Sequence, residues 1–297
     1  MDKLTTMAEA VGRHVRDGMS IAMSCSLEPL VPFAAGHEMI RQGRRDLELI
    51  GPISDSLFDQ LIGAGCVRRI TGAWAGNVSE GLGHNYRRAA EKAVPRNLEI
   101  HDHSNFSISL ALWAAAWGSP YIPTRTLLGS DIVRSNPNLD IVDGCVHVAA
   151  VRPDLAVIHV QRADSRGRAH AWGPLGIAEE AALAATAVIL TCDELVDQAV
   201  TLSDPNRVLA PENKVVAVVH EPGGAHPAPV QGYWRRDHAH FREYAQRSRT
   251  REGFLEWLGE WVHGVADRSE YLRRLSDQAG LRMHRHLLSA PADFGHE

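Results

Sequence analysis

The sequence has few cysteines, and they form none of the pairings that mark a cysteine-based framework. Cys25, Cys66, Cys145 and Cys192 are far apart, and no CxxC pair occurs in the 297 residues. A disulfide-rich fold and a structural zinc site are therefore not expected. The first twenty residues, MDKLTTMAEAVGRHVRDGMS, also lack an uninterrupted apolar run, so they predict neither a secretory signal nor a membrane span, and we expect a cytoplasmic protein.

An excess of basic charge is missing as well. Lys and Arg number 31 against 36 Asp and Glu, and they are scattered among the acids, which argues against nucleic acid or an anionic membrane as a partner. The phosphate-binding patterns GxxxxGK[ST] and GxGxxG do not occur, so nucleoside triphosphates and nicotinamide dinucleotides are not expected. The absence of a GxSxG elbow disfavours an α/β-hydrolase.

What the sequence does contain is a regular alternation of short β-branched runs with longer amphipathic segments. This rhythm predicts an α/β protein with an open, mainly parallel sheet flanked by helices. The predicted elements begin with a helix over residues 4–17 and a strand over Met19–Met23. A helix over Phe106–Trp117 is apolar on all sides and should be buried. A further helix is predicted over Cys192–Val200, after the strand Val188–Thr191.

The composition changes near residue 233, where charged and aromatic residues take over at helical spacing. We therefore predict an α/β domain over residues 1–232 and a C-terminal helical extension over residues 233–297. One apolar face of the extension consists of Phe254, Trp257, Leu258, Trp261 and Val262. This face is expected either to pack on the chain's own core or to form a contact with another subunit, since Trp is a frequent interface anchor.

The loop that follows the first predicted strand is the first candidate for chemistry. It reads Ser24-Cys25-Ser26-Leu27-Glu28-Pro29 and runs into the start of a helix. Ligands of open α/β sheets bind at the carboxyl ends of strands, where free helix amides can hold an anion. Glu28 is the ionisable group of this loop and becomes a general acid, base or nucleophile if it is desolvated; a solvated turn is the alternative.

A second candidate, His101-Asp102-His103-Ser104-Asn105, follows the predicted strand Leu98–Ile100. Alternate residues of an extended chain point to the same side, so His101 and His103 could share a ligand. No third metal ligand such as an HExxH partner is evident, and no metal is predicted. Structural hydrogen bonds and substrate contact through His101, His103 or the Asn105 amide are the two interpretations.

Several segments together resemble the A subunits of class I, glutaconate-type CoA-transferases. They are GMSIAM, MIRQGRRDLELIG, FDQLIGAGCVRRI and PYIPTRTLLGSDI, then AVRPDLAVIH, the HxQxAD turn at His159–Asp164, and VHEPGGAH. In order, they span about residues 18–230. The individual motifs are short, and it is their order and spacing that make the resemblance specific.

The resemblance implies an A-type subunit that works with a B-type partner in an αβ or α2β2 assembly. The substrate would be an acyl-CoA thioester, with no permanently bound cofactor, and the glutamate that attacks the thioester would belong to the B-type partner. In this chain Glu28 is the catalytic candidate. The expected substrate-binding residues are Ser24, Ser26, Asn77, His101, His103, Asn105, Arg125, Gly129 and Ser130.

Two loops depart from the family pattern and keep other activities open. Many A subunits carry Gly-Gly-Phe where this chain has the loop Ser24–Pro29, and Glu-Gly where it has Asn105-Phe106. Relatives with altered loops include ring-opening CoA-thioester hydrolases and decarboxylases. Those activities, and a non-catalytic subunit that stabilises its partner, are the alternatives to a transferase.

Overall fold

The computed structural model describes residues 2–279, and its elements alternate along most of the chain. The strands are β1 (Leu4–Thr5), β2 (Ser20–Met23), β3 (Leu47–Ile53), β4 (Val67–Trp74), β5 (Gly76–Asn77), β6 (Gly81–Leu82), β7 (Glu99–Asp102), β8 (Tyr121–Thr124), β9 (Leu139–Val142), β10 (Cys145–Ala149), β11 (Leu155–Ala163), β12 (Ala169–His170), β13 (Ala187–Leu195) and β14 (Val215–His220).

The helices are α1 (Met7–His14), α2 (Phe33–Arg41), α3 (Ser56–Gly63), α4 (His84–Lys92), α5 (Asn105–Ala116), α6 (Asp131–Ser135), α7 (Ala178–Ala184), α8 (Gln198–Ser203), α9 (His238–Arg247), α10 (Arg251–Leu258) and α11 (Arg268–Ala279). A π-helical turn, Gly259–His263, continues α10.

The central sheet has the strand order β1-β14-β13-β11-β2-β3-β4-β7, and all neighbours along this path are parallel. The short strand β12 pairs with β11 in the antiparallel sense. From β2 the chain adds β3, β4 and β7 on one side. It then returns to place β11 on the other side of β2 and continues outward to β13 and β14. The strand order therefore reverses between β2 and β11, which opens a crevice at their carboxyl ends.

Buried side chains cover both faces of the sheet. Ile21 and Met23 of β2 lie in the same apolar cluster as residues of α1, α2 and α3, whereas Ala22 between them packs with α5 and α7. Since successive side chains of a strand point to opposite faces, a strand that packs on both sides is apolar at successive positions. This is why β2, β11 and β13 contain the apolar runs 21–23, 155–158 and 187–190, and the polar residues of β11 and β13 follow these runs.

The C-terminal helices α9, α10 and α11 pack against the cluster that contains α2 and α3. Residues 280–297, the end of the predicted extension, lie outside the described residues. The aromatic and aliphatic face predicted for residues 254–262 is buried in this core. Its members are Phe254, Trp257, Leu258, Trp261 and Val262.

Two predicted helices were partly wrong. Leu4 and Thr5 form β1, because they pair with Val218 and Val219 of β14, and α1 begins only after its N-cap Thr6. The segment that begins at Cys192 continues β13 to Leu195, because its backbone extends the parallel ladder with β11. A helix forms only from Gln198, after Asp197 caps its first turn.

The apolar helix α5 is buried on one side only, which corrects the expectation that it is buried all round. The side chains of Phe106 and Trp117 are 53% and 69% exposed, and Leu110 and Trp113 between them are partly exposed. The spacing of four, three and four residues places these side chains along one helix face. One side of α5 meets the sheet and α7, so the opposite face has no covering layer within the described residues.

A separate antiparallel sheet, with the order β8-β10-β9, lies beside α5 and was not predicted. Over residues 2–279, none of the helices combines the length and the apolarity that a membrane crossing requires.

The docking of α10 on the core can be measured by truncating one of its buried side chains. Phe254 is fully buried, so Phe254→Ala should lower the free energy of unfolding by about 3–5 kcal/mol in urea titrations. The neighbouring Leu255 is 47% exposed, and Leu255→Ala should change it by no more than about 0.5 kcal/mol. Equal effects of the two substitutions would contradict the packing described here.

Candidate active site

A cavity of about 660 Å³ lies at the carboxyl end of β2, beside the point where the strand order reverses. This volume falls in the range of small-molecule sites. The walls come from the loop after β2, from a proline that precedes α7 and from the segment that precedes α9. The lining residues are Ser26, Leu27, Glu28, Pro29, Pro174, Pro229, Gln231, Trp234, Arg235 and Arg236.

The loop after β2 has an unusual backbone. Ser24, Leu27 and Leu30 adopt φ values of 57°, 74° and 56°, in the left-handed region that non-glycine residues rarely occupy. Each such residue costs of order 1 kcal/mol and persists only where its surroundings hold it. The loop is therefore a strained segment, and segments of this kind cluster at ligand sites.

Hydrogen bonds from two other segments hold this loop in place. The amide of Ile177 donates to the carbonyl oxygen of Cys25 at 2.7 Å, and the amide of Leu30 donates to that of Pro229 at 3.0 Å. Gly176 packs so closely on the loop that a Cβ at this position would lie 2.3 Å from the Cys25 oxygen. The segment before α7 and the turn after β14 thus fix the shape of the cavity wall.

Cys25 is poorly suited to act as a nucleophile in this site. Its side chain is buried, and burial raises the pKa of its thiol to about 12. The thiol is therefore protonated at neutral pH, and a protonated thiol is a poor nucleophile.

Asp193, near the end of β13, connects the sheet to the part of the cavity wall that precedes α9. Its carboxylate accepts hydrogen bonds from the Gly223 amide at 2.7 Å and from the Trp234 indole nitrogen at 2.5 Å. The imidazole of His159 lies 3.0 Å from the second oxygen and is hydrogen bonded to Thr191 on its other side. This buried network places the Trp234 ring in the cavity.

Residues 159–164, which contributed to the family resemblance as a turn, belong to β11 as far as Ala163, and the side chains of Gln161 and Asp164 have structural roles. Gln161 donates to the carbonyl oxygen of Trp172 at 2.9 Å. Asp164 accepts from the amides of Arg166 and Arg168 and from the Thr201 hydroxyl at 2.8, 3.2 and 2.6 Å, so it caps the turn after β11.

Arg236 is a cation of the cavity wall whose side chain is held by several contacts. Its Nη2 lies 2.7 Å from Oδ2 of Asp55, a fully buried carboxylate that follows β3. Its Nε and Nη2 donate to the Ser79 hydroxyl at 3.1 and 3.0 Å, and its guanidinium lies 4.0 Å from the centre of the Phe241 ring. Loops after β2, β3 and β5 therefore converge on one guanidinium.

Burial raises the pKa of the Asp55 carboxyl, and the neighbouring Arg236 opposes this shift. Asp55 also accepts from the Val78 amide at 3.1 Å. Its backbone φ of 48° adds another strained residue at this edge of the sheet. Placing the Asp55–Arg236 ion pair here therefore costs free energy, because the Asp55 carboxylate is removed from water and its backbone is strained.

Of the predicted site residues, the structure brings Ser26 and Glu28 together in the cavity wall. Ser24 is buried beneath the same loop, and its hydroxyl has no hydrogen-bond partner among the described residues. Asn77 is buried too, and its side-chain amide donates to the Phe241 carbonyl oxygen at 2.8 Å. Asn77 therefore fixes the position of α9 against the loop after β5.

The remaining predicted residues lie outside this cavity. His101 is within β7, because the parallel pairing of β7 with β4 continues through residue 102, and its ring contacts Glu99 at 2.8 Å. His103 is buried and bonded to Ser107 at 3.0 Å, while Asn105 is exposed at the start of α5. The group Arg125, Gly129 and Ser130 belongs to the loop between β8 and α6.

No set of three or more His, Cys, Asp or Glu side chains suited to a metal ion occurs within residues 2–279. The residues of the cavity and its support that the sequence analysis missed include Asp55, Gln231, Trp234 and Arg236. Asp55 could have been found, because Ser54-Asp55-Ser56 follows a strand as the loop after β2 does. The sequence pattern predicts a helix over residues 54–63, but α3 begins at Ser56, so the prediction assigned Asp55 to the helix and not to the loop before it.

The boundary predicted at residue 232 runs through the cavity wall. Gln231 lies on one side of it, and Trp234 and Arg236 lie on the other. The change in composition near residue 233 indicates that the helix α9 is about to begin. It does not indicate that the residues before α9 form part of the cavity wall.

Comparison with known proteins places this geometry among relatives. The family model described as Coenzyme A transferase matches residues 4–221. The chain is 40% identical to the A subunit of 3-oxoadipate CoA-transferase from Pseudomonas knackmussii over 284 residues, which cover 93% of this chain and 99% of the relative. It is 30% identical to the A subunit of glutaconate CoA-transferase from Acidaminococcus fermentans, with 93% and 92% of the two chains covered.

Solved structures agree with the predicted fold class. The crystal structure of glutaconate coenzyme A-transferase from Acidaminococcus fermentans matches with a TM-score of 0.86 at 29% identity, covering 92% of each chain. A variant of the decarboxylase AibA/AibB matches with a TM-score of 0.72 at 28% identity, covering 87% of this chain and all of the other. The prediction of an open, mainly parallel sheet flanked by helices is confirmed.

The buried His103 should make the stability of the fold depend on pH. Burial, with a smaller contribution from nearby His101, lowers the pKa of His103 to about 4. The unfolded chain takes up this proton below about pH 6.5, whereas the folded chain does not until about pH 4. The free energy of unfolding is therefore highest above about pH 6.5, and it decreases as the pH falls from about 6.5 to about 4.

Between about pH 7 and pH 5, His103 should account for a loss of about 2 kcal/mol in the free energy of unfolding. In urea titrations at the two pH values, His103→Gln should show a loss smaller by this amount. The exposed His238 provides the control His238→Gln, which should follow the unsubstituted chain. An unchanged pH dependence in His103→Gln would show that the imidazole is not held neutral.

Proposed function

Because the chain belongs to the coenzyme A transferase family, we propose that it is the A-type subunit of a two-subunit enzyme that moves CoA from an acyl-CoA thioester to a carboxylic acid. Family membership confirms the resemblance inferred from the ordered sequence segments. The observation that carries the proposal is the cavity at the strand-order reversal, whose loop after β2 lies within the matched residues. Ligand sites of open α/β sheets form at this position.

The cavity is lined by polar groups that can bind a substrate, and we assign none of them as the nucleophile that attacks the thioester. Its polar groups include the Ser26 hydroxyl, the Gln231 amide, the Glu28 carboxylate and the Arg236 guanidinium, and the Cys25 thiol is buried away from it. We therefore infer that the glutamate that attacks the thioester comes from a B-type partner. Glu28, about half exposed, remains the candidate for acid–base chemistry in this chain.

The exposed apolar face of α5 also supports a partner chain. Phe106 and Trp117 expose more than half of their side chains on one helix face, and Ile141 of β9, in the sheet beside α5, is exposed as well. Exposed apolar side chains along one helix face are typical of protein contacts. We propose an αβ or α2β2 assembly that functions in the cytoplasm, with CoA thioesters as substrates and no permanently bound cofactor.

The proposed reaction requires both chains and an acceptor acid. Purified complex of this chain and its B-type partner should form a new acyl-CoA only when acyl-CoA donor and acceptor acid are both present, measured by chromatography of the CoA esters. Neither chain should be active on its own. Product that forms without acceptor would indicate a hydrolase or a decarboxylase, and failure to bind any CoA thioester would exclude the whole class.

The contribution of the loop after β2 can be tested through Gly176. A Cβ there would collide with the loop backbone at Cys25 and Ser26, so Gly176→Ala should displace the cavity wall. We expect kcat/KM of the assembled complex to fall by about 10- to 100-fold, since shifts near 1 Å have effects of this size. Gly43→Ala is the matched control, because Gly43 has a left-handed φ of 64° like the 56° of Gly176, but a Cβ there meets no atom within 4 Å. Full activity of both variants would argue that the loop is not part of the site.

A further inference from the structure

The Arg236 guanidinium is held by neighbouring residues on one side. Asp55, Ser79 and the Phe241 ring engage the Nε and Nη2 side of its guanidinium and its planar face. The remaining nitrogen, Nη1, is buried and has no hydrogen-bond partner among the described residues. A buried, unsatisfied donor on a cation is costly, and such atoms in a cavity wall mark a place where a ligand atom can be bound.

The Glu28 carboxylate lies near this nitrogen but is not hydrogen bonded to it. Oε2 of Glu28 lies 3.9 Å from Nη1, which is beyond hydrogen-bonding distance, and the Glu28 side chain is 51% exposed. A half-exposed ion pair at this separation contributes little. The Glu28 carboxylate therefore covers the guanidinium loosely and can be replaced by a carboxylate that reaches it directly.

We propose that Arg236 is the specificity-determining residue that binds the second, non-reacting carboxylate of a dicarboxylic acyl group, which displaces Glu28 from Nη1. Arg recognises carboxylates by short, charge-assisted hydrogen bonds, and its fixed neighbours leave Nη1 preorganised for one. Leu27, Pro29 and Trp234 supply apolar walls for the carbon chain between the two ends of such a substrate. The inference rests on the proposed function and names its substrate class.

The bound carboxylate is assigned as the non-reacting one because of its charge state. A carboxylate held by a buried guanidinium has its negative charge stabilised, so it is a weakened nucleophile toward a thioester or an anhydride. A monocarboxylic acyl chain of the same length would place a methyl group beside Nη1 and leave the nitrogen unsatisfied. The site should therefore favour the diacid, because a polar site left unpaired rejects an analogue that lacks the polar group.

The test compares adipate and hexanoate, two acids of equal length, as CoA acceptors with the complex of this chain and its B-type partner. Arg236→Met should lower kcat/KM for adipate about 100-fold more than it lowers kcat/KM for hexanoate, because the loss of the Asp55 partner affects both acids and the loss of the carboxylate contact affects only adipate. Arg236→Lys should fall between, because it keeps the charge but loses the planar fork. Arg242→Met, at an exposed arginine of α9, should change neither acid.

Binding measured by calorimetry on the same complex separates this inference from the proposed function. Unsubstituted complex should bind adipate more tightly than hexanoate even if it transfers no CoA, and Arg236→Met should remove the difference. Glu28→Gln should tighten adipate binding, because it removes the competing carboxylate while leaving Asp55 and Arg236 paired. Since Glu28 is half exposed, this variant should also fold and assemble normally.

Three results would overturn the inference. Equal losses for adipate and hexanoate in Arg236→Met would mean that the arginine supports only the structure of the loop. Weaker binding of free CoA in that variant, with the preference for adipate intact, would mean that it binds a phosphate of CoA. Unchanged or weaker adipate binding in Glu28→Gln would show that Glu28 does not compete for the site.

Discussion

The reversal of strand order between β2 and β11 is the constraint on which the site depends. Parallel strands bring their carboxyl ends to one edge of the sheet, and chain connections on opposite sides leave a crevice where the winding direction changes. The loop after β2 must cross this edge to reach α2. It does so through three left-handed residues that hydrogen bonds from the segment before α7 and from the turn after β14 hold in place. The fold thus stabilises a strained loop at the crevice where we propose that the substrate binds.

Two buried carboxylates connect this crevice to the rest of the chain. Asp193 accepts from Gly223 and Trp234, and Asp55 pairs with Arg236. Burying a carboxylate is costly unless hydrogen bonds and an opposite charge satisfy it. Both carboxylates bind residues that follow β14, so the segment between β14 and α9 is drawn across the sheet edge to become the cavity wall. The same charges that hold the wall leave one guanidinium nitrogen without a hydrogen bond among the described residues.

Much of the fold could be predicted from the sequence, because strands buried on both faces contain continuous apolar runs and the helices between them are amphipathic. The loop Ser24–Pro29 was found because it follows the first such run. Arg236 could not be found in this way, since Asp55 and Glu28 are distant from it along the chain and meet it only through the tertiary fold. The exposed face of α5 was missed for another reason. A helix that is apolar all round carries no periodic signal to show which side is covered.

The predictions for the residues of β1 and for the end of β13 were wrong because pairing with a neighbouring strand, and not local sequence preference, decides their conformation. Residues 192–195 have no strong local preference, and pairing with β11 decides their conformation. Leu4 and Thr5 are likewise strand residues only because β14 lies beside them. Local propensity is a weak guide where a parallel ladder can be extended by a few residues.

Hydrogen exchange on the complex of this chain with its B-type partner tests the location of the site most directly. Addition of a non-reactive acyl-CoA analogue should slow exchange of the backbone amides in residues 24–30 and 173–177, because the ligand would occupy the cavity between them and restrain the strained loop. Protection confined to residues 101–105 and the loop between β8 and α6, with no change at residues 24–30, would contradict the account.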